Sequence, residues 1–91
     1  MTDPLAPLRA KFRGRAADDL ARLRALLEAN DQAELRRLAH GIAGAAGTFG
    51  FPELSRAAVV IDDDYVAGRA SERSAFDRLQ CELEAVAAPK P

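Results

Sequence analysis

"DQAELRRLAHGIAGAAGTFGFP", residues 31–52, holds a whole helix together with its start and its stop. Asp31 can cap the first turn, and Glu34, three residues on, is spaced to reach back to it. Leu35, Leu38, Ala39, Ile42, Ala46 and Phe49 recur at steps of three or four, so one face of the segment is apolar. Gly50 suits a left-handed cap, and Pro52 suits the first turn of a following helix, where a missing N–H costs nothing. The spacing predicts a helix from Gln32 to about Phe49.

Working outward, the same signals repeat. Leu8, Phe12, Ala16, Leu20, Leu23 and Leu27 make an apolar stripe over a helix from about Pro7 to Ala29, which Gly14 is placed to bend or break. Asn30 and Asp31 stop it. A third helix from Pro52 to about Ala67 carries Leu54, Ala57, Ala58, Ile61 and Tyr65 at core spacing, and Gly68 ends it. Ser71 is the expected cap of a fourth helix through about Ala87, with Phe76, Leu79, Leu83 and Val86 inward. The closing "PKP" is expected to fray. Strand signals and internal repeats are absent. Four amphipathic helices with short connections predict an all-α, antiparallel up-and-down four-helix bundle. One domain over 1–91, ordered from about 5 to 88, is expected, as a monomer, because four helices can close one core.

Composition narrows the partners. With 13 Lys and Arg against 14 Asp and Glu, the net charge of −1 implies no broad basic face for nucleic acid or anionic membrane. Cys81 is the only cysteine and has no internal disulfide partner, which fits a reducing compartment. The opening "MTDPLAPLRAKF" lacks the apolar core of a signal peptide, and no run is long enough to span a bilayer. A cytoplasmic location is expected.

His40 is the only histidine, and Gly41, Gly44, Gly47 and Gly50 surround it. An interior glycine weakens a helix by about 1 kcal/mol relative to alanine. At 100° per residue His40 lies roughly 150° from the apolar face centred on Leu35 and Ile42, on the solvent side with Arg36, Arg37, Gly44 and Gly47. Gly44 and Gly47 therefore strip side chains from the surface beside the imidazole, leaving access for a bulky group. Gly41 lies between the two faces and does not follow this logic. The plain alternative is an ordinary surface histidine, with glycines serving close helix packing.

"LAHGIAGAAGTFGFPELSRAA" resembles the histidine phosphotransfer (HPt) domain of two-component phosphorelays, including that of chemotaxis histidine kinases. The family pattern, roughly H-x-(I/L)-K-G-(A/G)-(A/S)-G-x-(F/L)-G, is met by His40, Ile42, Gly44, Ala45, Ala46, Gly47, Phe49 and Gly50. The later "FPELSRAA" and "IDD" also resemble the family's next helix, so an HPt-like bundle is implied over most of the chain.

The resemblance implies that His40 is a phosphoacceptor, taking a phosphoryl group from a receiver-domain aspartyl phosphate or a kinase and passing it to another receiver. It implies phosphorylation at Nε2, with Nδ1 protonated and donating to an acceptor. Asp62 occupies the position where chemotaxis-type members carry a glutamate in that role; the plain alternative is that "DDDY" is a solvated helix end. Ala43 departs from the family, which usually has lysine there. Arg36 and Arg37, one turn before His40, are candidate phosphoryl or partner contacts, and Arg37, on the glycine side, is expected to compensate; the plain alternative is that both solvate that face. No nucleotide-binding motif and no metal-ligand set occurs, so a phosphocarrier without kinase activity is expected, with no cofactor of its own and Mg²⁺ on the partner. Expected partners are receiver domains of response regulators or hybrid histidine kinases. Two other readings remain: an HPt-like adaptor that binds a receiver or kinase without transfer, motivated by Ala43, and a small enzyme with His40 as general base.

Overall fold

Asp31 sets the register of the site-bearing helix: its carboxylate accepts from the Glu34 backbone N–H at 3.2 Å. The computed structural model describes residues 3–88, and these form α1 (Ala6–Ala29), α2 (Gln32–Thr48), α3 (Pro52–Val66) and α4 (Arg73–Ala87). α1 and α3 open with proline in the first turn. Among the described residues three are left-handed: Asn30 at φ 53°, Gly50 at φ 84° and Gly68 at φ 77°. Gly50 reverses the backbone after α2 so that the Phe51 N–H closes onto the Ala46 carbonyl at 2.8 Å.

The helices neighbour one another in the order α1–α2–α3–α4–α1, which leaves α2 diagonal to α4. This is the expected up-and-down four-helix bundle. Every buried residue in the core is apolar, and among the described residues no polar or charged side chain is buried. Leu23, Leu35, Ile42, Leu54, Ile61, Leu79 and Leu83 are sealed from solvent; each such side chain contributes about 1.5–3 kcal/mol of transfer free energy. Leu27, Leu38, Phe49, Tyr65 and Val86 pack half-buried against this core. Phe12 closes one end, stacking on Phe51 at 5.2 Å and tilting against Phe49 at 5.6 Å.

Four local expectations need correction. Gly14 neither breaks nor interrupts α1, which runs unbroken for 24 residues. Leu8 is 44% exposed rather than buried. At 1.5 Å per residue α1 is about 36 Å long and outruns helices of about 25 Å, so its first turn reaches past the end of the core that Phe12 closes. Ser71 does not cap α4; Glu72 holds that position without a side-chain bond, and the bond from the Ser71 hydroxyl to Asp64 Oδ2 at 2.8 Å holds that side chain toward α3. Glu34 does not complete a capping box, since Arg22 and Arg37 engage its carboxylate. The "PKP" tail lies outside the described residues. Among the described residues no helix is long and apolar enough to cross a membrane. Cys81 is exposed on α4.

Candidate functional site

The amphipathic register of α2 carries Leu35, Ala39, Ile42 and Ala46 into the core, and this turns His40 outward, with its side chain 77% exposed. α3 runs alongside. Three polar ties join the two helices. The Ser55 hydroxyl donates to the Ala43 carbonyl at 2.9 Å, and the Tyr65 hydroxyl donates to Gln32 Oε1 at 2.7 Å. Between them His40 Nδ1 lies 3.1 Å from Asp62 Oδ2.

That third contact constrains the ring. An ionised carboxylate only accepts, so a bond at this distance places a proton on Nδ1, and in the neutral ring that leaves the Nε2 lone pair free. The Asp62 side chain is itself only 19% exposed, which limits the positions its carboxylate can take. Imidazole nitrogen with a free lone pair, held in one tautomer at the surface, is a nucleophile accessible to a macromolecular reactant.

The glycines leave that nucleophile uncovered. A Cβ built on Gly44 would meet no atom within 4 Å, so packing does not demand glycine there. On Gly47 a Cβ would meet only Ser55 Oγ, at 3.4 Å, an ordinary contact. Gly41 likewise has open space.

A shallow recess at the site is lined by Ala33, Arg36, Arg37, His40, Asp62 and Val66. The two arginines differ in engagement. Arg37 Nη1 donates to Glu34 Oε1 at 3.1 Å, and Glu34 also receives Arg22 of α1 at 2.7 Å. Arg36 makes no ion pair among the described residues. Ala43 is half-buried against the core and brings no charge. No group of three or more His, Cys, Asp or Glu among the described residues is arranged to hold a metal ion.

Residues of α3 complete the face, and inspection of α2 does not reveal them. Val59 and Val66 lie three residues before and four after Asp62, on the same strip of α3, and are 39% and 71% exposed. The i−3, i+4 spacing about Asp62 is the signal that would have found them. Ser55 and Tyr65 fix the α2–α3 register.

The bundle thus presents one carboxylate-paired histidine to solvent, on a helix whose neighbouring glycines have open space around them. The Hpt domain family model matches residues 7–89, nearly the whole chain, and the chain belongs to the Hpt domain family. Hpt domains are phosphocarrier modules of phosphorelays, generally not enzymes, and interact with receiver domains or kinases. No curated protein and no solved structure matches the chain significantly.

Proposed function

We propose that His40 is the phosphoacceptor of this domain, taking a phosphoryl group from an aspartyl phosphate on a receiver domain, or from a kinase, and handing it to another receiver. The observation that carries this reading is the 3.1 Å contact between His40 Nδ1 and Asp62 on a ring that is 77% exposed. In the forward step the Nε2 lone pair attacks phosphorus. The N–P bond forms as the bond to the aspartyl oxygen breaks, and the aspartate leaves as a carboxylate. The ring then carries positive charge, and its Nδ1–H faces the Asp62 carboxylate, which stabilises that charge without accepting the proton.

Gly44 and Gly47 leave room for the receiver's active-site loops, and Val66 offers the docked partner an apolar contact. Mg²⁺ belongs to the receiver in this reading, and the chain supplies the nucleophile and the docking face. The domain acts in the cytoplasm as a monomeric carrier.

Incubation with phosphorylated receivers, followed by detection of acid-labile phosphate, tests the proposal. Label on the wild type and none on His40→Ala is the expected result. Receiver binding without label would favour the second reading, a non-transferring adaptor, for which the uncharged Ala43 is the supporting feature.

A further inference from the structure

Resting on the phosphoacceptor reading of His40, we infer that Arg36, rather than Arg37, is the cation that receives the phosphoryl oxygens. The argument starts from charge. A phosphoryl group on Nε2 would place two negative charges on the ring whose other nitrogen faces the Asp62 carboxylate at 3.1 Å. That group and the Asp62 carboxylate lie at opposite ring nitrogens with the protonated ring between them, so the phosphoryl oxygens need a cation of their own beside the ring.

Two cations line the recess with His40 and Asp62. At 100° per residue, Arg36 stands about 40° from His40 around the helix and Arg37 about 60° in the opposite direction. The contacts of neighbouring turns identify the two directions. Gln32, on the Arg36 side, bonds Tyr65 of α3; Glu34, on the Arg37 side, bonds Arg22 of α1. Asp62 belongs to α3, so Arg36 stands on its flank of the recess and Arg37 on the flank toward α1.

Engagement points the same way. Arg37 is held by Glu34 at 3.1 Å in a cluster of three that also includes Arg22. Freeing it would leave Glu34 with Arg22 alone. Arg36 makes no ion pair among the described residues, so it has no carboxylate to leave. Its planar guanidinium presents donors on two edges, enough to span from the Asp62 carboxylate to a phosphoryl oxygen. The small residue at 43 leaves this role open, because a long side chain there would lean back over His40, helix side chains being tilted toward the N-terminus.

The test compares single-turnover transfer from a phosphorylated receiver to wild type, Arg36→Ala, Arg36→Lys and Arg37→Ala. It adds the double variant Arg36→Ala with Ala43→Lys. Arg36→Ala should lower the maximal transfer rate about tenfold, less than the ~10²–10³ of an enclosed oxyanion site because this one is open to water. Half-saturation should move much less, since the contact forms only with the transferring group. Arg37→Ala should stay near wild type, Arg36→Lys should retain part of the rate, and lysine at 43 should restore part of the loss. A structural role for Arg36 would not be rescued from position 43. Wild-type transfer with an unimpaired Arg36→Ala, or a defect only in Arg37→Ala, overturns this assignment and leaves the phosphoacceptor reading standing. Absence of label on the wild type itself removes that reading instead.

Discussion

The Nδ1 atom of His40 and the Oδ2 atom of Asp62 stand 3.1 Å apart across the α2–α3 seam, so the chain's one imidazole is oriented by a residue of the neighbouring helix. Because a carboxylate can only accept, the pair selects the tautomer with Nδ1 protonated. Asp62→Ala should shift the imidazole toward the Nε2-protonated tautomer, visible in ¹⁵N chemical shifts, and slow phosphotransfer about tenfold, as loss of an orienting partner does elsewhere. An unchanged tautomer ratio would show that Asp62 does not orient the ring.

Gly44 separates stability from function. Nothing lies within 4 Å of a Cβ at that position, so Gly44→Ala should stabilise the fold by about 0.4–1 kcal/mol through the unfolded chain's lost freedom. In a domain this small that raises the thermal midpoint by roughly 2–8 °C. Gly44→Leu should keep the helical circular dichroism yet transfer poorly, because the added side chain occupies the approach to His40. Destabilisation by alanine would mean that the glycine serves packing after all.

Val66 is 71% exposed at the rim of the recess. A substitution there should leave the fold within about 0.5 kcal/mol of wild type. Val66→Glu should weaken receiver docking about fivefold, roughly 1 kcal/mol, with little change in the rate from the docked complex. Titration calorimetry and single-turnover kinetics on the same variant read the two effects separately.

Two carboxylates give acid behaviour of opposite sign. Bonds from Ser71 and then Arg69 hold the Asp64 carboxyl below its usual range, so its contribution is present above about pH 4 and is lost as pH falls through the lowered folded value. Burial pushes the Asp19 carboxyl up, against the opposing pull of Arg15; its charged form therefore costs stability at neutral pH, and that cost disappears as pH falls through the raised value. Asp64→Asn should melt below wild type at pH 7 and converge with it in acid. Asp19→Asn should melt above wild type at pH 7 and also converge. Thermal melts from pH 7 to pH 2 check both, and differences that do not depend on pH would contradict these signs.

Helix positions and the outward direction of His40 were legible because both follow from spacing along a single element. Asp31, Gly50 and Gly68 punctuate the chain where their local chemistry suits it. What spacing does not carry is choice between partners. Ser71 had two possible partners, the N–H groups of a helix end and the Asp64 carboxylate, and the structure pairs it with Asp64. Glu34 had its own first turn and two arginines, and the charged partners prevailed. Leu8 follows the apolar stripe of α1 faithfully, but periodicity says nothing of where neighbouring helices end. Arg36 and Arg37 look alike in composition; the contacts of Glu34 with Arg22 and of Gln32 with Tyr65 tell their flanks apart.

Cys81, alone of its kind in the chain, is exposed on the helix diagonal to the one that bears His40. A maleimide fluorophore or a solid support can therefore be attached at a single point with no engineered thiol. Tethered this way, the domain would present the His40 ring outward, so the docking and label transfer proposed for that ring can be followed in real time on an unaltered face.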